Sequence, residues 1–183
     1  KIDPNMVIEK IKLPCFVKPN SSGSSYGVSK IKNPEQFLKG IQNALIHDKK
    51  VLIEQFIQGK EVSCGVFFNG QEIESLPITE IKTENEFFDY SAKYEGKSKE
   101  ITPARINKKL TSKIQKITRE IYKEMNLSSV CRIDYIIKED TPYIIEINTI
   151  PGLSEKSIIP QQLREAKIKL TDFFMLCLAN TNN

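Results

Sequence analysis

Apolar positions recur along this 183-residue chain with two periods, and the change from one to the other marks its elements. Residues 13–18 and 28–31 read as short strands around a polar turn at 19–27. Asn33, Pro34 and Gln36 then form a helix start: an Asn cap, a Pro where its missing N–H costs nothing, and a Gln able to reach back. Phe37, Leu38, Ile41, Leu45 and Ile46 supply the expected buried stripe of that helix. A strand at 51–57 stops at Gly59, and 61–68 and 72–78, joined through Asn69-Gly70, read as a hairpin. Leu110, Ile114, Ile117, Ile121, Tyr122 and Met125 stripe a helix over 105–126. A second hairpin follows at 130–138 and 141–148, then Pro151-Gly152 and a last helix over 161–178. No internal repeat is visible.

Both patterns fail over 83–103, where a polar stretch holds Phe87, Phe88, Tyr90 and Tyr94. A long structureless segment with aromatic side chains is expected to be a lid that packs down on something. Apolar residues are 39% and charged residues 27% of the chain, which excludes disordered and fibrous classes. The apolar run 130–137 is interrupted by Arg132 and Asp134, so no membrane span is expected. The net charge is +4, and its densest group, Lys108, Lys109, Lys113, Lys116, Arg119 and Lys123, is the polar side of the amphipathic helix. A solvated helix face accounts for it better than nucleic-acid binding. Cys15, Cys64, Cys131 and Cys177 are far apart in apolar surroundings and are expected to be four buried, reduced thiols of a cytoplasmic protein. Without an initiator Met or a signal segment, the chain is expected to be an excised piece.

Candidate chemistry starts at the second hairpin. Arg132 and Asp134 share one face, and Glu146 and Asn148 share one on the return strand. A turn centred on Asp140 sets Asp134 opposite Glu146 and Arg132 opposite Asn148; a slip of one residue would put Ile145 opposite Asp134. Two carboxylates about 5 Å apart repel one another without a cation. Together with an Asn oxygen they suit Mg²⁺, although Arg132 could neutralise both. The turn 20–27, after Lys18, is neither a G-x-G-x-x-G fingerprint nor a Walker A loop, but its small residues can turn N–H and hydroxyl groups toward phosphate. Glu95-Gly96-Lys97-Ser98 has Ser91 where a P-loop needs its first Gly and is set aside. His47, the only histidine, ends the first helix and reads as a cap.

Taken in order, Val17-Lys18-Pro19, Gly23-Ser24-Ser25-Tyr26-Gly27-Val28, Glu54-Gln55-Phe56-Ile57 with Gly59 and Glu61, Asp89-Tyr90-Ser91-Ala92-Lys93-Tyr94, Arg132-Ile133-Asp134 and Glu146-Ile147-Asn148-Thr149-Ile150-Pro151-Gly152 resemble the D-alanine–D-alanine ligases of the ATP-grasp superfamily. The resemblance spans essentially the whole chain but only the C-terminal part of such a ligase. It implies an α+β fold with two lobes of antiparallel sheet and flanking helices gripping ATP: an incomplete first lobe over 1–58 and a second over 59–183 carrying the lid.

The same resemblance implies roles for individual residues. Lys18 would meet the ATP phosphates, Glu54 and the backbone at Phe56 and Ile57 the adenine, and Glu61 the ribose. Ser25 and Lys93 would contact the transferring phosphate, with Ser24 and Tyr94 at the first D-alanine. Arg132 and the Gly152 N–H would form the oxyanion hole, and Ser157 with Ile158 would take the second D-alanine. Asp134, Glu146 and Asn148 would hold two Mg²⁺ ions, with Mn²⁺ as a substitute. The implied product is D-alanyl-D-alanine for peptidoglycan, made in the cytoplasm by a homodimer without nucleic acid or membrane partners. The family's N-terminal domain and a second ATP-binding Lys are not in this sequence, so the chain alone is expected to be inactive. A D-alanine–D-lactate or other carboxylate–amine ligase, and a nucleotide-binding module without catalysis, are the alternatives. The lactate type carries a His near Lys93-Tyr94, where this chain has none.

Overall fold

The computed structural model describes residues 3–23, 25–83 and 98–179. They divide into two compact units, with the boundary after Ile57.

The first unit is built on a three-stranded antiparallel sheet of β1 (Cys15–Pro19), β2 (Ser29–Ile31) and β3 (Val51–Gln55), with β1 in the middle. Helices α1 (Pro4–Ile11) and α2 (Phe37–Leu45) accompany it. The α1 helix has no counterpart in the periodicity above. Asp3 caps it by accepting from the Asn5 N–H at 2.9 Å, ahead of a Pro in the first turn. The start of α2 is a 3₁₀ turn over Pro34–Gln36, where the Gln36 side chain accepts from the N–H groups of Lys32 and Asn33.

The buried stripe of α2 differs from the expected one: Phe37, Gly40, Ile41 and Ala44 are buried, while Leu38, Leu45 and Ile46 face water. Small residues decide this. A Cβ on Gly40 would lie 2.6 Å from Ile31 Cδ1, so the helix approaches the sheet along the Gly40–Ala44 line. Cys15, Val17, Ile31, Phe37, Ile41 and Ala44 form the core of this unit. The alternation along β1 leaves Phe16 and Lys18 on the other sheet face.

In the second unit, the sheet order is β7-β6-β4-β8-β9, with β5 also paired to β4. The strands are β4 (Lys60–Phe68), β5 (Ile73–Ser75), β6 (Thr79–Thr83), β7 (Ser98–Ile101), β8 (Cys131–Lys138) and β9 (Thr141–Asn148). Helix α3 (Lys108–Glu124) packs Leu110 and Ile114 on Val62, Cys64, Ile133, Tyr135 and Ile137. Its stripe continues through Thr118 and Tyr122, whereas Met125 is exposed. A separate cluster joins Phe67, Leu76 and Val130 to Ile159 and Leu163 of α4 (Ile158–Glu165) and Phe173 of α5 (Leu170–Ala179).

Three expectations change here. The last helix is two helices, because Lys167 adopts a left-handed φ of 61° and a Schellman turn closes α4, with Ile168 N–H donating to the Leu163 carbonyl at 2.9 Å. The irregular stretch 83–103 is shorter than expected, since Ser98–Ile101 is an edge strand beside β6; residues 84–97 of it lie outside the described residues. Cys177 is only half-buried, while Cys15, Cys64 and Cys131 are buried; all four are free.

Glu80 on β6 is 2% exposed and takes a fork from Arg105, Nη2 to Oε1 at 2.7 Å and Nε to Oε2 at 3.1 Å, with Lys60 Nζ at 3.4 Å. The Arg105 side chain, working against burial, holds the carboxyl at about 2 instead of 4.5. A carboxyl depressed in the folded state stabilises above its unfolded pKa, and that stability is lost as pH falls through the folded value. Glu80→Gln is therefore expected to cost about 3 kcal/mol at pH 7 and less than half of that at pH 3. Denaturant unfolding of both proteins at the two pH values checks this; an equal difference at both would contradict it.

Candidate active site

The second hairpin carries the densest chemistry. Its turn is tighter than expected: Glu139 and Asp140, at φ 50° and 60°, make a two-residue link, so Lys138 pairs with Thr141 and Tyr135 with Ile144. A bulge then inserts Ile145, and beyond it Asp134 faces Glu146 and Arg132 faces Asn148. That is the pairing expected at the site, reached through a bulge rather than a wider turn. The bulge returns both acids to one sheet face, the usual effect of an extra residue beside a functional group.

Four donor atoms converge on Asp134, which is 5% exposed. Ser63 Oγ lies 2.6 Å and Arg132 Nε 2.9 Å from Oδ1; Arg132 Nη2 lies 2.8 Å and Asn148 Nδ2 3.0 Å from Oδ2. The same Asn148 amide reaches Glu146 Oε1 at 3.3 Å, so it ties the two carboxylates together. Burial alone would lower the Arg132 pKa, but the carboxylates of Asp134, Glu146 and Glu100 outweigh it and raise it. Burial likewise raises the pKa of Glu100 on β7, which accepts from Gln161 Nε2, against the opposing pull of that bond and of Arg132.

No group of three His, Cys, Asp or Glu gathers among the described residues. Two carboxylates and, once Asn148 turns its amide oxygen to the place of the Nδ2 that faces them, an amide oxygen make a set of hard ligands that fits Mg²⁺ with its remaining positions left to phosphate and water. Arg132 occupies the position of the neutralising cation considered above, at least toward Asp134.

Beyond β9 the chain turns at Gly152, where a Cβ would lie 2.8 Å from Ser157 Oγ. Ser157 is the N-cap of α4, held by Ser154 through Oγ–Oγ at 2.8 Å and N–H to carbonyl at 2.8 Å. Ile158 is 4% exposed, so what it can offer a ligand is its backbone N–H in the first turn of α4. Glu61 is half-buried on β4, paired with Ile81 and Ile136.

In the first unit, Lys18 and Glu54 form an ion pair of 2.8 Å on the sheet face away from the core. Phe56 lies beside them, its ring edge-on to Phe16 at 5.9 Å and under Lys30 Nζ at 3.9 Å. The Phe56 N–H is already given to the Pro14 carbonyl at 3.1 Å, so of the backbone groups expected at an adenine it is the carbonyl of Phe56 and the N–H of Ile57 that are candidates.

The small-residue turn has Ser25 at φ 59° and Gly27 at φ 73°. A side chain at Gly27 would also meet His47 Cδ2 at 2.6 Å. His47 thus serves as packing for the turn, at the C-terminal end of α2. Asp48 ties down the base of the turn, accepting from the Ser21 N–H at 2.7 Å and the Lys50 N–H at 3.2 Å. Those backbone bonds, that of Lys50 foremost, hold its carboxyl below the ordinary range.

Ser24, Lys93 and Tyr94 lie outside the described residues. Ser63, Asp48 and Lys30 were not singled out by the sequence, because each acts through a neighbour distant in the chain. Gln162 was missed in the same way. Fully buried, it inserts its amide between β5 and β6, accepting from the Gly65 N–H at 3.0 Å and donating to the Ser63 carbonyl at 2.9 Å.

Comparison with known proteins gives this site its context. Residues 3–177 match the family described as D-ala D-ala ligase C-terminus. A D-alanine–D-alanine ligase of Flavobacterium johnsoniae is 47% identical over 174 residues, covering 95% of this chain and 54% of that protein. The chain therefore spans about half the length of this relative. Among solved structures, the D-alanine–D-alanine ligase from Bacillus anthracis complexed with ATP superposes with a TM-score of 0.81 at 26% identity, covering 98% of this chain and 56% of that one. The VanG D-Ala:D-Ser ligase from Enterococcus faecalis gives 0.82 at 29%, covering 96% and 52%. These likenesses make the fold α+β of the ATP-grasp class, and the chain belongs to the D-alanine–D-alanine ligase C-terminal family.

Proposed function

We propose that this chain is the ATP-grasp portion of an enzyme that joins two D-alanines to D-alanyl-D-alanine at the expense of ATP, for peptidoglycan precursors. The observation that carries the reading is the bulged hairpin, where Arg132, Asp134, Glu146 and Asn148 share one face in a chain of this family. In this reading a carboxylate oxygen of the first D-alanine attacks the γ-phosphorus of ATP and ADP leaves. The amine of the second D-alanine then loses a proton, attacks the acyl carbon, and phosphate departs with that carboxylate oxygen. Such chemistry rests on alignment and charge stabilisation more than on a protein nucleophile.

The chain's own residues supply those functions. Lys18 and Ser25 meet phosphate oxygens, with Lys93. Glu54, Phe56, Ile57 and Glu61 hold the nucleoside. Ser24 and Tyr94 position the first D-alanine. Arg132 and the Gly152 N–H face the oxyanion, and the first turn of α4 at Ser157 and Ile158 suits the second carboxylate because its N–H groups lack intrahelical partners. Asp134, Glu146 and Asn148 would hold two Mg²⁺ ions, or Mn²⁺, which neutralise the β- and γ-phosphates when bound.

Residues 1–58 and 59–183 form the two lobes of the reading, with the lid between 83 and 103. No described helix is long and apolar enough to cross a membrane. Four free thiols accord with the reducing cytoplasm, and the complete enzyme is a homodimer in this reading.

Incubating the complete protein with ATP, Mg²⁺ and equal D-alanine, D-serine and D-lactate, with products read by mass spectrometry, tests it. D-alanyl-D-alanine as the main product is expected, with ADP release dependent on D-alanine. A predominant ester with lactate would favour the alternative ligase, and no ADP release would favour a non-catalytic nucleotide-binding module.

A further inference from the structure

Asp134 is saturated: a carboxylate has about four acceptor positions, and four donors take them. A cation can therefore reach it only where a partner yields. The partners are unequal. Asn148 and Arg132 are partly exposed, and among the described residues their side chains hydrogen-bond only to Asp134 and Glu146. Ser63 is fully buried, stands directly opposite Asp134 in the β4–β8 ladder, and carries the shortest of the four bonds at 2.6 Å. Its backbone is fixed in turn, because the Ser63 carbonyl accepts from buried Gln162 at 2.9 Å. The strand order puts β4 and β9 on opposite sides of β8, so Ser63 lies on one side of Asp134 and Glu146 on the other. Oδ1 points to the serine, and Oδ2 to the Asn148 amide that also touches Glu146.

We propose that Ser63 is a positioning residue for cation binding: its hydroxyl holds Oδ1 of Asp134, so that the carboxylate offers Oδ2 alone, on the Glu146 and Asn148 side. The inference rests on the Mg²⁺ reading of this site and adds a selectivity to it. Mg²⁺ demands near-octahedral geometry and is bound through few carboxylate oxygens, whereas Ca²⁺ accepts bidentate carboxylates. A carboxylate clamped at one oxygen favours the first, and one free to swing favours the second. Outer-shell bonds of this kind are worth about 10- to 100-fold in metal affinity.

The test is Mn²⁺ titration of the complete protein, followed by the electron paramagnetic resonance signal of the free ion, with Mg²⁺ and Ca²⁺ as competitors. ADP is held at one concentration throughout, so its own share cancels between variants. Ser63→Ala is expected to weaken Mn²⁺ binding about tenfold or more and to lower the Mg²⁺-over-Ca²⁺ preference about fivefold. Ser63→Thr, which keeps the hydroxyl, is expected to restore both. Thermal unfolding without metal separates a folding defect from a change in cation binding; with the serine hydroxyl gone, Oδ1 is left to the partly exposed Arg132, a partner that can yield to a cation. Unchanged affinity and preference in a folded Ser63→Ala protein would overturn the proposal while leaving the Mg²⁺ reading intact. Protein-dependent Mn²⁺ uptake absent from the wild type, or insensitive to Asp134→Ala, would overturn both.

Discussion

Arg132→Ala in the complete protein is expected to lower kcat by about 10²- to 10³-fold, with the KM for ATP moved less than about threefold. In the structure the guanidinium is forked onto Asp134 and its side chain is 15% exposed, so it is a preset charge in a nearly closed setting. In the proposed reaction its demand would be greatest when the tetrahedral oxyanion forms, which would make it a contact of the transition state. Removing it leaves Asp134 with Ser63 on Oδ1 and Asn148 on Oδ2, so the cation-facing carboxylate keeps its place. That is why the effect is expected in kcat. Arg132→Lys is expected to recover only part of it, because an ammonium keeps the charge but loses the two-pronged geometry. Steady-state kinetics with ATP and D-alanine varied separately decide; a variant changed only in its KM for ATP would mean that Arg132 binds nucleotide in the ground state.

The largest expected effect on stability is at Gly59, immediately before β4. A Cβ there would lie 2.2 Å from the Ile137 carbonyl oxygen, 2.9 Å from its carbon and 2.6 Å from Ile136 Cγ2. Two of these are backbone atoms of the strand that pairs with β4, starting at Lys60 opposite Ile137. A flexible side chain can move aside, but a paired backbone must open its ladder. Gly59→Ala is thus expected to destabilise by about 3 kcal/mol or more, at the upper end of overpacking costs. Urea unfolding of the variant and wild type measures it. A loss below about 0.5 kcal/mol, the usual range for harmless surface changes, would show that β4 can shift freely there.

Much of the site could be read before the structure, because its signal is alternation along single strands. Arg132 and Asp134 on one strand, and Glu146 and Asn148 on the other, each share a face by period, and the expected register sets Asp134 opposite Glu146. What period could not supply was the means of reaching that pairing. The Glu139–Asp140 turn sets one register and the Ile145 bulge changes it, and neither residue type announces this.

Helix ends divide in the same way. Asn126, an ordinary residue for a left-handed cap, closes α3 with a Leu127 N–H to Tyr122 carbonyl bond of 2.9 Å, and the end of that helix was legible. Lys167 does the same for α4 without any such mark, so α4 and α5 read as one helix. In α2 the large apolar residues drew the stripe toward Leu38, Leu45 and Ile46, while close approach to Ile31 put Gly40 and Ala44 inside. Ser63, Asp48 and Gln162 were invisible for a further reason: each works through partners on other elements, between 27 and 99 residues away for the bonds in question.

Ligation through an acyl phosphate is tested most directly by oxygen transfer. D-Alanine labelled with ¹⁸O in its carboxyl group is given to the complete protein with ATP, and the released phosphate is read by ³¹P nuclear magnetic resonance. Attack of the carboxylate on the γ-phosphorus, followed by expulsion of phosphate from the acyl carbon, carries one labelled oxygen into each phosphate. Inorganic phosphate bearing a single ¹⁸O in proportion to dipeptide formed is expected; unlabelled phosphate accompanying dipeptide would contradict the acyl phosphate.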